Sequence, residues 1–250
     1  MNATRLGRFV VNLMIVGIIL LASPPAWGSS TLNFPRLSFD PTTFTGVAFV
    51  NPSDEEALVT LTAYDENGQL VTGITNPAQW PVPARSQLVQ LTSDYFVGAG
   101  PDPGMVAWFQ ATTEADELSG FFLFLNGTVT EFDGADTPVA AESIVFNRIG
   151  VDSVTSTELN IVNPGIAPAS LVLELVSSGS TSVQKQSSLS AKGVAQLDVA
   201  TFFDVSEISS DSFIKIASDV EIAGFEVVKT VDQDPLGLNA QPEEDQLTNL

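Results

Sequence analysis

Two stretches of thirty residues in this chain are similar to each other, one beginning at Phe34 and the other at Phe146, and they align without a gap at a constant spacing of 112 positions. Ten of the thirty aligned positions are identical, several times the roughly two expected from composition alone. The identical residues Phe34, Arg36, Asp40, Thr43, Thr45, Val50, Asn51, Pro52, Ala57 and Leu61 recur as Phe146, Arg148, Asp152, Thr155, Thr157, Val162, Asn163, Pro164, Ala169 and Leu173. The sequence therefore predicts two copies of one module, and a fold assigned to one copy must also fit the other.

The pattern that both copies keep is that of a β-strand. Leu61 and Ala63 and their counterparts 112 positions later are all apolar, whereas the position of Thr62 between them holds Glu174 in the second copy. A period of two places one face of a strand on a core and leaves the other face free to be polar. We therefore expect extended strands here and no long helix outside the amino-terminal segment.

Turn signals separate these strands. Asn51-Pro52, and Asn163-Pro164 in the second copy, end a strand because proline has no N–H to donate to a β-ladder. Asp65–Gly68 contains the Asn-Gly pair that is typical of a β-hairpin turn. Further strands are predicted at Gln87–Thr92, Met105–Thr112, Leu118–Asn126, Val194–Val199, Phe213–Ser218 and Glu221–Val228, with single helical turns at Ser93–Phe96 and Thr201–Asp204. Short strands at this spacing predict an all-β chain of two antiparallel β-sandwiches.

The amino-terminal segment has the features of a secretory signal peptide. Arg5 and Arg8 precede an apolar run from Phe9 to Ala22, and Ala26-Trp27-Gly28 offers small residues at a cleavage site. An uncleaved membrane anchor is the alternative, but the run is shorter than the roughly 20 residues that span a bilayer. We expect an exported protein, located outside the cell, on its surface or in the periplasm, with no membrane span after cleavage.

The duplication and the signal divide the chain into four segments. The predicted organisation is a signal peptide at 1–28, a first module at 29–140, a second module at 141–231, and an acidic linker or disordered tail at 232–250. The tail is rich in polar residues and carries few apolar ones.

Charge and composition exclude several classes of function. The chain has 9 Lys and Arg residues against 30 Asp and Glu, a net charge of −21, and loss of the signal would remove two of the cations. Nucleic acid is not expected as a partner, because phosphate binding is built from basic patches. The sequence contains no Cys and no His, so disulfides, zinc sites and His-activated nucleophiles are not available. We predict that the chain is not an enzyme.

Carboxylates are the chemistry that remains. Glu114, Asp116 and Glu117 are candidates for a carboxylate pair of the kind that glycosidases use, but a solvated acidic loop is sufficient to explain them. Ca²⁺ is a weak candidate for a cofactor, because acidic loops of an exported β protein offer oxygen ligands. No other cofactor is expected. The candidate ligands are Asp40, Asp152, Asp133 and Asp136. Their spacing does not match a calcium loop, and a repeated Asp before a strand is more often a turn residue that binds its own backbone.

Aromatic residues are the candidates for binding sugars. Trp80 is the first of them because it lies in a Pro-rich stretch that the second copy shortens; Tyr64 and Tyr95 are the others, whereas Trp108 alternates within an apolar strand and is expected in the core. Packing against its own loop is the alternative for Trp80. Arg36 and Arg148 are retained cations in a chain with few, and our hypothesis is structural: each pairs with the Asp of its own copy, Asp40 or Asp152.

The motifs of the first copy resemble those of repeats in large, uncharacterised secreted bacterial proteins. The motifs are Phe34-Pro35, Val50–Ser53 and Val59–Gly68, and the second copy lacks the Pro and the Asp-Glu-Asn-Gly turn. The resemblance implies immunoglobulin-like β-sandwich modules and an extracellular role, and supplies no catalytic residues. The leading hypothesis is a non-catalytic structural, spacer or adhesive protein, with a glycan or a surface protein as candidate partner. An extracellular carbohydrate-binding protein is the alternative, and a glycosidase is a distant third.

Overall fold

The computed structural model describes residues 31–37, 43–96, 106–115, 117–126, 128, 132–177, 182–209 and 211–243. The predicted signal peptide, Asp40, Asp116 and residues 244–250 lie outside the described residues. Within the described ranges the chain is built almost entirely of β-strands, and every strand pairing is antiparallel. None of the described helices is long or apolar enough to cross a membrane.

The first half forms two four-stranded sheets. Its elements are β1 (Thr31–Phe34), β2 (Thr43–Asn51), β3 (Ala57–Tyr64), β4 (Ala78–Val82), β5 (Ser86–Leu91), α1 (Thr92–Tyr95), β6 (Trp108–Thr112), β7 (Ser119–Asn126) and β8 (Phe132–Asp136). Sheet I has the strand order β1-β6-β3-β4, and sheet II has the order β5-β2-β7-β8. We call this pair the first sandwich. Its core is aromatic: Phe34 stacks on Phe109 with ring centroids 4.3 Å apart and meets Phe49 edge to face at 5.7 Å.

The second half repeats this strand order. Its elements are β9 (Ala141–Phe146), β10 (Thr155–Val162), β11 (Ala169–Val176), β12 (Val183–Leu189), β13 (Val194–Asp198), α2 (Val199–Phe203), β14 (Phe213–Thr230), β15 (Leu236–Asn239) and β16 (Gln241–Pro242). β9, the first part of β14, β11 and β12 correspond to sheet I, and we call them sheet III. β13, β10, the second part of β14 and β15 correspond to sheet II, and we call them sheet IV. Together they form the second sandwich, whose core is largely aliphatic.

One long strand joins the two sheets of the second sandwich. β14 pairs with β11 up to Ser218 and with β9 up to Ala217, shifts its register against β9 before Ile222, and then pairs with β10 and β15. Two strands were predicted here from the sequence, at Phe213–Ser218 and Glu221–Val228. The exposed charged residues Asp219 and Glu221 lie at the register shift, and β14 continues through them, so composition alone suggested a break that the strand does not have.

The carboxyl-terminal segment was expected to be a linker or a disordered tail, and this expectation is wrong for Leu236–Pro242. β15 pairs with the second part of β14, and β16 pairs with β9. The segment supplies the last strand of sheet IV, so its apolar residues, though few, fill a defined position in the fold. Its composition was misleading because an edge strand can be mostly polar.

The all-β antiparallel sandwich prediction is confirmed. The strand order differs from that of immunoglobulin domains, in which the first strand lies beside the second in one sheet. Here β1 lies beside β6, and β2 lies between β5 and β7. The likeness is therefore one of architecture rather than of connectivity. The predicted Asp65–Gly68 hairpin turn is present: the Asp65 carboxylate accepts the N–H groups of Asn67 and Gln69, and Gly68 has a φ of 82°.

Candidate functional site

The aromatic residues proposed for sugar binding pack against other rings: Tyr95 in the core of the first sandwich, Trp80 half-buried at its edge, and Tyr64 beside Trp108 where the two sandwiches meet. Tyr95 is 1% exposed, and its hydroxyl donates to the carbonyl of Val47; burial raises its pKa. Trp80 lies in strand β4 and not in a loop. From this strand its ring meets Tyr95 edge to face at 5.6 Å, and its Nε1 donates to the Tyr95 carbonyl. Tyr64 is 8% exposed and stacks on Trp108. These rings do not form an exposed platform, because each covers another ring.

Three of the four acidic candidates for calcium are described by the structure, and these three do not form a group. Asp133 and Asp136 lie on β8 opposite Phe124 and Phe121, which point to opposite faces of sheet II, so the two carboxylates do as well. The carboxylate of Asp152 accepts the N–H groups of Val154 and Thr155, as a turn residue does, and these bonds lower its pKa. Among the described residues, no three Asp or Glu side chains are grouped in a way that could hold a metal ion.

The predicted structural asparagines have matching roles in the two sandwiches. Asn51 is buried, and its side-chain amide donates to the carbonyls of Glu55, Val82 and Pro83. Asn163 is also buried and donates to the carbonyls of Ala167 and Ser190. Each asparagine ties together the loop that leaves β2 or β10 and the turn that precedes β5 or β13. Pro52 is exposed and Pro164 half-buried, each directly after its asparagine.

The hypothesis that each arginine pairs within its own copy is wrong where the structure describes both partners. Arg148 forms no ion pair with Asp152, because the Asp152 carboxylate is occupied by turn N–H groups. Asp40 lies outside the described residues, and the partner of Arg36 that the structure describes belongs to the other sandwich: the Nε of Arg36 lies 2.8 Å from Oε1 of Glu158 on β10. The Arg36 guanidinium also lies 4.7 Å from the centre of the Phe124 ring.

Glu158 is the centre of a polar cluster at this contact. Besides Arg36, it accepts from the side chains of Asn160, Gln196 and Lys229. Burial alone would raise the pKa of Glu158, but the charge and hydrogen bond of Arg36, with further bonds from Gln196 and Lys229, lower it to about 2. The cluster holds Glu158 ionised where the two sandwiches meet.

We call the surface between the two sandwiches the junction. Side-chain and backbone groups of both sandwiches are hydrogen bonded across it. Trp108, fully buried, donates from Nε1 to the carbonyl of Lys192 at 2.7 Å. The Lys192 ammonium donates to Gln110 at 3.0 Å and to the Pro164 carbonyl, and burial lowers its pKa. Lys192 has a φ of 58°, so its backbone is turned sharply at the point where the indole reaches it.

Two tight turns pack directly on each other at the junction. The carbonyls of Asn67 and Glu66 accept from the Ser190 hydroxyl and the Val194 N–H. A Cβ at Gly68 would lie 2.1 Å from the Ala191 carbonyl oxygen, well inside the closest contact that two such atoms tolerate. Gly68 therefore serves both the positive φ of its own turn and the close approach of the second sandwich.

A phenylalanine of the second sandwich lies in the core of the first. Phe225, fully buried on β14, has its ring centroid 4.8 Å from that of Phe122 and 5.6 Å from that of Phe124. Phe225 and Val227 belong to the same apolar cluster as the core of the first sandwich. The two sandwiches thus share part of one hydrophobic core.

The edges of sheets II and IV are also joined. The carboxylate of Asp133 accepts the Gly237 N–H, and the Asn239 side chain donates to the Asp136 carbonyl at 2.9 Å. Burial raises the pKa of Asp133, while N–H groups of Gly237 and Gly134 act in the opposite direction. Asp133 and Asp136, proposed as metal ligands, therefore hold β15 against β8.

A buried carboxylate lies next to the junction. Glu226 is 1% exposed, and its Oε2 has no hydrogen-bond partner. Burial raises its pKa to about 8, although the N–H and charge of Arg148 act in the opposite direction. Glu226 lies opposite Leu159 on β10, whereas Phe122 lies opposite Val47 at the corresponding place in the first sandwich.

Four residues of the junction and its surroundings were not predicted from the sequence: Glu158, Lys192, Phe225 and Glu226. Lys192 carried a signal, because it is one of few cations and stands at the position of Arg85, and both residues have a positive φ. Glu226 carried another, because it is an acid at an inward position of an alternating strand. Glu158 and Phe225 had none, since their partners in the first sandwich, Arg36 and Phe122, lie more than 100 residues away in the chain.

Comparison with known proteins gives no family assignment. No protein-family model matches the chain, and no curated protein matches it. Among solved structures, the chain is similar to the crystal structure of Thermotoga maritima 1070 (14% identity, 42% of this chain and 96% of that chain, TM-score 0.38). It is also similar to the Anabaena sensory rhodopsin transducer (14% identity, 34% and 94%, TM-score 0.27) and to allantoicase (6% identity, 84% and 74%, TM-score 0.18). These TM-scores are too low to support an argument about function.

Proposed function

We propose that the chain is an exported, non-catalytic structural protein, in which two modules of one duplicated β-sandwich form a rigid spacer or adhesive unit outside the cell. The bacterial-type signal at 1–28 supports export, and the absence of His and Cys from the sequence supports a non-catalytic role. The candidate partners are a surface protein or a glycan.

The duplication is supported by more than sequence identity. The two sandwiches have the same strand order, and β3 and β11 have the same bounds after a shift of 112 positions, Ala57–Tyr64 against Ala169–Val176. Asn51 and Asn163 make equivalent side-chain bonds to backbone carbonyls. A protein that repeats one module and has no His or Cys in either copy fits a structural role better than an enzymatic one.

The shared core at the junction is the observation that carries the proposal. Two modules that merely follow each other along a chain meet through a small polar interface and move relative to each other. Here Phe225 enters the core of the first sandwich, and Trp108 is hydrogen bonded to Lys192. Such a junction transmits orientation and force from one module to the next, as a spacer requires.

Rigidity is the property to measure. NMR relaxation of backbone amides in the exported protein should give one overall tumbling time for both sandwiches. Different tumbling times for the two sandwiches would contradict the proposal. A glycan array probed with the wild-type protein and with Trp80→Ala tests adhesion to sugars; we expect no loss of binding in the variant, because Trp80 packs on Tyr95.

A further inference from the structure

Two buried side-chain oxygens without a hydrogen-bond partner lie on one pair of strands. Within the described ranges, the buried and unpartnered side-chain atoms are Oε2 of Glu226 and Oδ1 of Asn239. Glu226 lies on β14 opposite Leu238, and Asn239 lies on β15 opposite Phe225, so the two occupy neighbouring rows of one ladder. Buried polar groups in folded proteins almost always have a partner. The β14–β15 pair is therefore the part of the described chain in which polar side chains are satisfied least well.

The carboxyl of Glu226 points into the core of the second sandwich. Glu226 is 1% exposed, and its cross-strand neighbours are Leu159 on β10, a residue of that core, and Leu238 on β15. A Cβ at Gly224, two residues earlier on the same face of β14, would lie 2.6 Å from the ring of Phe146 on β9. The strands on both sides and the opposite sheet thus present apolar side chains to this part of the face.

Arg148 is the charged residue that acts on this carboxyl. Its N–H and its positive charge favour the ionised form, but burial outweighs both and raises the pKa of Glu226 to about 8. The Arg148 side chain is exposed, and none of the ion pairs in the described ranges joins it to Glu226. Glu158 and Lys229 lie on the opposite face of sheet IV, where they bind each other. Glu226 is therefore protonated at pH 7 and has no ion pair that would hold it in place once ionised.

β15 is the weakly held element next to this carboxyl. It is four residues long, Leu236–Asn239, and it pairs with β14 on one side. Its other side meets β8 of the first sandwich, where the Gly237 N–H donates to the Asp133 carboxylate. β10, on the other side of β14, is itself paired with β13. A short edge strand opens at a lower free-energy cost than a central strand, so departure of β15 is the least costly way to bring water to Glu226.

We propose that Glu226 is a proton-operated latch: while protonated it lets β15 stay on sheet IV, and its ionisation at alkaline pH releases β15 from β14 and from Asp133. A carboxylate without a partner is costly to bury, and release hydrates it together with the unpartnered Asn239 oxygen. The bond from Trp108 to Lys192 does not involve β15, so the two sandwiches stay joined. The latch goes beyond the proposed spacer role and depends neither on export nor on the duplication.

Hydrogen exchange in the full-length protein tests the latch. The amides of Leu236–Asn239 exchange through an opening whose equilibrium constant is obtained after correction for the intrinsic exchange rate. We expect this constant to rise about tenfold for each pH unit between about pH 5 and 8 and to level off above that range, because opening releases one proton there. The sign follows from the raised pKa of Glu226, since the carboxyl is protonated in the closed state and ionised in the open state.

Three variants assign the proton to its residue. Glu226→Gln keeps the shape of the side chain and removes the titration, so its β15 opening constant should not change with pH and at pH 9 should be at least tenfold below that of the wild type. Glu221→Gln is the matched control, because Glu221 is exposed on the same strand; it should keep the wild-type pH dependence. Asp133→Asn changes the other carboxyl that contacts β15, and it should keep that pH dependence as well.

Several results would overturn the latch. A wild-type opening constant that does not change with pH is one, and a pH dependence that survives in Glu226→Gln or disappears in Asp133→Asn is another. Equal opening constants for β15 and for the central strand β11 would also overturn it, because β15 would then open only when the whole second sandwich unfolds. This comparison uses the wild type, so it decides even if circular dichroism shows that Glu226→Gln does not fold.

Failure of the latch and failure of the proposed function are distinguishable. Tumbling times measured at pH 7, where the latch is closed, test the rigid pair. Two tumbling times there contradict the proposed function and leave the latch standing, because Glu226 and β15 lie within the second sandwich. One tumbling time together with a pH-independent β15 opening constant has the opposite meaning.

Discussion

Phe225→Ala should destabilise the first sandwich although the residue belongs to the second. Phe225 is fully buried, with two aromatic rings of the first sandwich within 6 Å of its own ring. Removal of a buried phenylalanine ring costs about 3–5 kcal/mol. At about 2–4 °C per kcal/mol for a chain of this size, the melting temperature should fall by about 6–20 °C.

Tryptophan fluorescence makes this a direct test of coupling. The chain has three tryptophans: Trp27 lies in the predicted signal, whereas Trp80 and Trp108 lie in the first sandwich. Once the signal is removed, fluorescence in urea reports the first sandwich together with the contact between Trp108 and Lys192, and far-UV circular dichroism reports both sandwiches. We expect the fluorescence midpoint of Phe225→Ala to fall together with the circular dichroism midpoint.

Phe121→Ala is the matched control, because Phe121 has the equivalent register position on sheet II but is only half-buried. It should cost clearly less than Phe225→Ala. The reasoning fails if Phe225→Ala leaves the fluorescence midpoint unchanged while lowering the circular dichroism midpoint, because Phe225 would then stabilise only its own sandwich. It also fails if the two variants cost the same.

Three further predictions concern polar groups. Glu158→Gln should remove about 2–3 kcal/mol of stability at pH 7 and almost none at pH 2. The pKa of Glu158 is lowered to about 2, so its stabilisation disappears as the pH falls from about 5 to 2. Urea unfolding across this range checks the prediction, and a stability difference between wild type and variant that does not change with pH would contradict it. Glu226→Gln should leave stability at pH 5 nearly unchanged and raise it at pH 9 by a few kcal/mol. The reason is the raised pKa of Glu226, about 8, because of which the wild type loses stability as the pH rises from about 4.5 through 8. An equal effect at both pH values would refute the assignment. Asn51→Ala and Asn163→Ala should each cost about 2–3 kcal/mol by leaving buried carbonyls without a donor, whereas Asn147→Ala, at an exposed position, should cost almost nothing in the same thermal melts.

Local patterns were sufficient to predict most of the strands. Alternation placed β3 and β11, Asn51-Pro52 ended β2, and the Asn-Gly pair marked the turn before Leu70. Two local features were misread for physical reasons. Exposed charges in the middle of β14 looked like a loop, and the polar composition of residues 232–250 hid the edge strand β15.

The candidate site was predicted poorly, because periodicity reports that a face is buried but not what buries it. Trp80, Tyr64 and Tyr95 were chosen as large rings available to a ligand, yet each covers another ring. Arg36 was recognised as a structural cation, but its partner Glu158 lies 122 positions away. Position 158 holds an acid only in the second copy, where the first copy has Gly46, so comparison of the copies could not reveal the pair.

Positions at which the two copies differ indicate which neighbour each face meets, and identical positions do not. At the register position of Phe122, in the core of the first sandwich, the second sandwich has Glu226; at the position of Asn160, on the covered face of sheet IV, the first has Ala48. Identical residues such as Asn51 and Asn163 maintain the module, and each copy needs them for the same reason. Substituted positions on the outer faces follow the neighbour that each face meets: polar groups surround Glu158, where Arg36 reaches it, and apolar side chains fill the outer face of sheet II.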